Sequence, residues 1–278
     1  MRYPTALGLV AALAGLSSAV PSWSQSHAQS AGTQTDRIVN EAFDRRYSCA
    51  ITGVVEIFTR KGSMEAMKRR LHVAAKFVGG RLHTYAVFQE PEYIRGMSFL
   101  GVESEDPRLS EQQFVYLPSL RKIRRVSGSQ ATDSFLGTDL SYHDFQRQRA
   151  DRYRSVSLRE VVEGEERAIR ARVEPLFDAP YSAIEYVIAA SDRAILHTDY
   201  FKRGSAKPYK RMSMPRARIV SDERCSVPTL VLVEDGQRGT RTQLMISELR
   251  TNARLDDALF TTSALETRRG VPGIVDRR

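Results

Sequence analysis

From Thr35 to Arg46 the apolar residues Ile38, Val39, Ala42 and Phe43 recur at helical spacing, with Thr35 or Asp36 placed as an N-cap. One amphipathic helix over 34–46 is predicted. From Ile51 onward the period of the apolar positions falls to two. In 51–60 the apolar side is Ile51, Val55 and Ile57; in 69–78 Leu71, Val73, Ala75 and Phe77 alternate with Arg70, His72 and Lys76. Such alternation marks strands with one apolar and one polar face. Further strands are expected at 81–89, 97–103, 112–117, 121–126, 153–162, 167–174, 182–189, 195–202, 209–220, 229–234 and 240–249. Short turns such as Gly79-Gly80, Glu163-Gly164-Glu165 and Asp235-Gly236-Gln237 separate many of them, which argues for antiparallel neighbours.

The longest interruption is 127–140, followed by a short helix expected over 141–148. It divides the strands into two halves and carries several aromatic residues, so it is the candidate mobile or ligand-facing element. The stretch 175–180 reads as a connection within one domain. Many regularly spaced strands with so few helices predict a mainly β protein, a barrel or sandwich, in a single domain over 34–267.

The first residues change where this domain is expected to work. Arg2 precedes an apolar run over 6–20, closed by Pro21 and followed by small polar residues, which is the layout of a secretory signal peptide over 1–28, cleaved near 24 or 28. The run is shorter than the roughly 20 residues a stable membrane-spanning helix needs. A soluble, exported protein is expected, with flexible ends at 25–34 and 268–278. Export places Cys49 and Cys225 in an oxidising compartment, where a disulfide between them and two independent buried thiols both remain open. With 41% hydrophobic and 27% charged residues, the chain can bury a sizeable core. The net charge of +9 allows an anionic surface or an acidic partner, including peripheral contact with a membrane. Export argues against nucleic acid.

Catalytic chemistry is hard to find. His72, His83, His143 and His197 make no metal-ligand spacing with one another or with cysteine, so no metal and no cofactor are expected. His143-Asp144 and His197-Thr198-Asp199 lack a nucleophile-elbow serine, and a hydrolase is the weakest of the readings weighed.

One stretch is specific. Residues 114–145 contain Tyr116-Leu117-Pro118, Leu120-Arg121, Ile123-Arg124-Arg125-Val126, Ser134-Phe135-Leu136-Gly137-Thr138-Asp139 and Ser141-Tyr142 with Asp144. This run resembles the signature of the outer-membrane lipoprotein-sorting protein family, a LolA-like group. Glu92, Tyr93 and Met97 depart from the family pattern just before it. The resemblance implies an incomplete antiparallel β-barrel with an N-terminal helix and a short helix and loop lid, holding a lipid or lipoprotein acyl chain in the periplasm for transfer towards the outer membrane. It implies no enzyme activity. Candidate cavity or lid residues are Val55, Ile57, Val73, Phe77, Tyr116, Phe135, Leu136, Tyr142 and Phe145, with 127–148 as the lid and Gly128 and Gly137 as its hinges. A core plugged by those same aromatics is the alternative. The basic residues Arg121, Lys122, Arg124 and Arg125 are the candidate docking surface, either for anionic headgroups or for an inner-membrane exporter that the protein would serve as accessory subunit. A solvated strand edge is the competing reading.

Overall fold

The computed structural model describes residues 23–106, 109, 111–126 and 132–274, with side chains from Gln34 onward. Residues 1–22 of the signal peptide expected over 1–28, the hinge expected at Gly128 and the last residues 275–278 lie outside the described residues. Helix α1 (Trp23–Tyr47) is followed by strands β1 (Ile51–Lys61), β2 (Met67–Val78), β3 (Arg81–Glu90), β4 (Ser98–Val102), β5 (Gln112–Leu117) and β6 (Lys122–Val126). Among the described residues, three short 3-10 turns, Phe135–Gly137, Tyr142–Phe145 and Ala150–Arg152, lie between β6 and β7 (Tyr153–Glu163). Then come β8 (Glu166–Pro175), β9 (Ala183–Ala189), β10 (Ile195–Phe201), β11 (Lys210–Ser213), β12 (Ile219–Ser221), β13 (Ser226–Pro228), β14 (Leu230–Asp235), β15 (Thr240–Thr251) and helix α2 (Thr262–Glu266).

All strands except the β12–β13 hairpin form one 13-stranded antiparallel sheet in the order β6-β5-β4-β3-β2-β1-β15-β14-β11-β10-β9-β8-β7. The first and last long strands, β1 and β15, pair in its middle. Its two edges are β6 and β7, and the chain between them folds back over the sheet, so the barrel stays incomplete.

The period-two pattern gives the sheet two apolar faces. On the inner face Val55, Ile57, Leu71, Phe88 and Phe99 from one half join Ile184, Tyr186, Ile188 and Val233 from the other in one core. α1 covers part of that face by burying Ile38, Val39, Ala42 and Phe43, and the Phe43 and Tyr186 rings meet edge to face at 5.3 Å. On the outer face Ala74, Tyr85, Val87 and Leu100 are covered by the C-terminal segment through Leu259, Phe260, Leu265 and Val271. The Tyr85 hydroxyl donates to the carbonyls of Ala264 (3.0 Å) and Arg269 (2.9 Å), tying that cover down.

Several local expectations need correction. The helix starts well before 34 and takes in the stretch 25–34 expected to be flexible; no proline interrupts it after Pro21. The strand expected over 209–220 is split, because Pro215 has no N–H to give a ladder and opens the 3-10 turn Arg216–Arg218 between β11 and β12. The tail expected to be loose from 268 is docked as far as Val271, which is only 3% exposed.

Candidate functional site

Between the middle strands of the inner face, the C-terminal end of α1 and the β6–β7 connection lies an apolar cavity of about 190 Å³. β1 and β2 contribute Val55, Ile57, Leu71 and Val73; β14 and β15 contribute Val231, Leu244 and Ile246. Alternate residues of these strands point inward, so a period-two apolar pattern is what builds this wall. Arg46 and Tyr47 of α1 with Val227 and Pro228 of β13 line it as well, and Phe135, Leu140, Asp144 and Phe145 of the connection complete it.

The connection is a plug. The Phe135 ring packs against Phe145 (4.7 Å between centroids), Tyr142 (5.2 Å), Phe88 (6.0 Å) and Phe99 (6.2 Å). To place that ring the backbone turns through the left-handed region at Leu136 (φ 50°) and again at Gly137 (φ 76°), where glycine is favoured. The Arg69 guanidinium donates to the Leu136 carbonyl.

Two carboxylates pin the plug to the sheet. Asp139, with a fully buried side chain, accepts from the hydroxyls of Thr240 and Thr242 on β15, the latter at 2.8 Å, and its own N–H donates to Thr242 Oγ1 at 3.0 Å. Asp144 accepts from Lys210 Nζ (2.5 Å), the Tyr200 hydroxyl (3.0 Å) and the N–H and hydroxyl of Ser141 (2.7 and 2.9 Å). Burial alone would raise the Asp144 pKa, yet the Lys210 ammonium and the Ser141 N–H outweigh it and hold the carboxyl below its usual range. Beside it His143 Nε2 shares a hydrogen bond with the Tyr181 hydroxyl (2.9 Å), and burial lowers its pKa, which keeps the ring neutral. The hydroxyls of Tyr181, Tyr186 and Tyr200 are pushed well up by burial. These groups are a satisfied network that positions the plug. A freely opening lid hinged at Gly137 is not what the described part of the segment looks like, because its polar groups are committed to β11 and β15.

Of the candidate cavity residues, Val55, Ile57, Val73, Phe135 and Phe145 line the cavity together. Leu136 and Tyr142 pack against the same core behind that lining. Phe77 does not join them: although it has the inward parity of β2 it lies at the end of that strand, 36% exposed, under the Arg147 guanidinium at 5.2 Å. Tyr116 belongs to the outer face, where it packs with the core under the C-terminal segment. The four basic residues do not share one surface. Arg121 sits in the turn before β6, and opposite Val115 and Phe114 of β5, Arg124 and Arg125 face opposite sides of this edge strand. Ile123, flanked by Lys122 and Arg124, packs on the outer-face core. The arrangement is a charged strand edge, which discourages pairing with another chain.

Cys49 and Cys225 are joined in a disulfide with Cα atoms 5.7 Å apart, linking the end of α1 to the β12–β13 hairpin. His197 Nδ1 lies 3.2 Å from Ser213 Oγ and its Nε2 2.9 Å from Glu163 Oε1. This trio resembles a hydrolase triad in composition but joins His197 of β10 to its cross-strand neighbour Ser213 of β11 and to Glu163 of β7, outside the cavity.

Lys210 and Glu111 carry no signal in the sequence, and Asp139 and Asp144 stand there only as members of the 114–145 run and the His143-Asp144 pair, without their anchoring role. Glu111 packs its carboxylate over Gly101, where a Cβ would come within 2.0 Å of Oε1. Burial, with Glu103 adding to it and the Gln113 side chain and Arg147 N–H opposing, pushes the Glu111 pKa from the ordinary 4.5 to about 8. An acid with a raised folded pKa is at its most favourable below 4.5 and loses stability as pH climbs through 8. Glu111→Gln is therefore expected to be near neutral at pH 5 and to stabilise at pH 8.5, by about 4 kcal/mol. Urea unfolding at both pH values measures this, and a gain equal at the two would contradict the assignment.

A family model described as "Uncharacterized protein" matches residues 80–267. No curated protein matches the chain. Among solved structures, a domain described as an outer membrane lipoprotein-sorting protein from Vibrio parahaemolyticus superposes with a TM-score of 0.76 at 18% identity, covering 84% of this chain and 99% of that one. A DUF1329 family protein from Desulfovibrio piger gives 0.73 at 22% identity, covering 86% and 98%. A LolA superfamily protein from Nitrosomonas europaea gives 0.63 at 17%, covering 83% and 98%. The chain thus belongs to the family whose model spans 80–267, and its unclosed sheet has a LolA-like fold.

Proposed function

We propose that the protein is a periplasmic carrier that holds an acyl chain of a lipid or lipoprotein in the inner-face cavity and passes it towards the outer membrane, acting by binding and without catalysis. The observation that carries this reading is the cavity itself, walled by aliphatic strand residues on one side and by Phe135 and Phe145 on the other. Each methylene moved from water into such a wall contributes about 0.8 kcal/mol. The Cys49–Cys225 disulfide supports an oxidising compartment.

Size says how the cargo must enter. Cavities of roughly 150 Å³ lined by aliphatic groups take a benzene ring, and pockets for larger ligands begin near about 300 Å³. The present cavity of about 190 Å³ takes a short apolar segment; a whole acyl chain needs Phe135 and Phe145 to swing away from the sheet.

Binding of the uncharged fluorescent probe N-phenyl-1-naphthylamine tests the reading. The wild type is expected to bind it and to release it to added lipid. Val73→Trp, which fills the cavity from β2 without adding charge, is expected to weaken binding about tenfold or more while the protein stays folded. A wild type that binds neither probe nor lipid would sink the proposal.

A further inference from the structure

Two charged residues, Asp144 and Arg46, line the otherwise mostly apolar cavity wall. They differ in kind. Asp144 is fully satisfied by Lys210, Tyr200 and Ser141 and forms a neutral pair with the first of these. Arg46, in the last turn of α1, has no carboxylate partner among the described residues. Its guanidinium has only the Met214 sulfur at 3.9 Å and the Tyr47 ring, 5.8 Å from its carbon. The adjacent Arg45 shows what a committed arginine looks like here: it donates to the carbonyls of Asp222 and Glu223, both at 2.6 Å.

A half-buried guanidinium beside an apolar wall, with no anion on it among the described residues, can take an oxygen anion in bidentate contact. A helix C-terminus also favours a cation, which explains a basic residue in this turn but not why it borders the cavity. Resting on the carrier reading above, we infer that Arg46 receives the anionic head, carboxylate or phosphate, of a single-chain amphiphile whose apolar chain lies along Val55, Ile57 and Val73. The cavity volume of about 190 Å³ takes the first segment of such a chain, and the rest enters as Phe135 and Phe145 swing away from the sheet. Arg46 would then select among apolar cargoes by charge, while the strand wall supplies the affinity for the chain.

The test is displacement of N-phenyl-1-naphthylamine at pH 8 by dodecanoate, dodecyl phosphate, uncharged 1-dodecanol and inorganic phosphate alone, on the wild type, Arg46→Gln and Arg46→Lys. A charge-assisted contact of this type gives the two anionic amphiphiles about a tenfold or greater advantage over 1-dodecanol on the wild type. The advantage of the anions over 1-dodecanol should vanish in Arg46→Gln and survive in part in Arg46→Lys. Equal displacement by the anions and 1-dodecanol on the wild type, or an advantage that persists in Arg46→Gln, overturns the role of Arg46 and leaves the carrier reading standing. Displacement by inorganic phosphate at the concentration dodecyl phosphate requires would also overturn it, by marking a small-anion site. If none of the amphiphiles displaces the probe, the carrier reading fails and this inference falls with it.

Discussion

Lys210→Met is expected to destabilise the protein by about 3–5 kcal/mol at pH 7, because it leaves the Asp144 carboxylate buried without its counter-charge. Both side chains are almost wholly enclosed, at 8% and 3% exposure, so solvent cannot replace the lost ammonium. For a domain of this size the melting temperature should fall by roughly 6–20 °C. The pH dependence adds a second signature. In the wild type the Asp144 pKa is held low, so its contribution is present above the ordinary 3.8 and is lost as pH falls through the lower folded value. Without Lys210, burial dominates and the carboxyl pKa moves up, so the variant should recover part of its deficit as the solution is acidified below neutrality. Replacing both members with apolar residues of similar shape should cost much less than Lys210→Met alone. Urea unfolding of the single and double variants across pH 4–8 reads all three effects, and a loss under about 1 kcal/mol in Lys210→Met would show that the pair does not hold the plug.

Removing the disulfide, by reduction or as Cys49→Ser with Cys225→Ser, is expected to cost about 2–5 kcal/mol, since the bridge spans 176 residues and constrains a long loop of the unfolded chain. A functional effect should accompany it. Arg46 and Tyr47 lie just before Cys49, and Val227 and Pro228 just after Cys225, and all four line the cavity. The bridge therefore fixes one end of the binding wall, and its loss should weaken probe binding under conditions where the protein is still folded. Midpoints of denaturation with and without reductant test the first effect, and probe titration below the transition tests the second. Full retention of both would mean that packing of Ile51, Ile246 and Leu249 around the sulfurs suffices.

On the proposed carrier reading, opening depends on these same attachments. The plug carries its aromatic residues on short 3-10 turns, which hold few internal hydrogen bonds, and relies on Asp139 and Asp144 for attachment. Cargo that displaces Phe135 from Phe88 and Phe99 must gain enough from burial of its own chain to offset that lost packing. Several methylenes do so at about 0.8 kcal/mol each.

What the sequence determined by itself is the local pattern. Alternation at Ile51, Val55 and Ile57 and at Leu71 and Val73 identified strands and the residues that share one side of each, because side-chain direction along a strand depends only on parity. The helical spacing of Ile38, Val39, Ala42 and Phe43 likewise identified the buried face of α1, and the run from Phe114 to Phe145 carried the family resemblance. What parity cannot decide is which side faces the cavity when both faces of a sheet are covered. Tyr116 was misplaced for that reason: the C-terminal segment that buries its side lies far along the chain. Phe77 was misplaced because parity says nothing of where along a strand the cavity ends. Only the tertiary structure decided that the β6–β7 connection is a plug, since its anchors Lys210, Thr240 and Thr242 are 66 to 103 residues away and a buried carboxylate has no sequence signature apart from the partner that satisfies it.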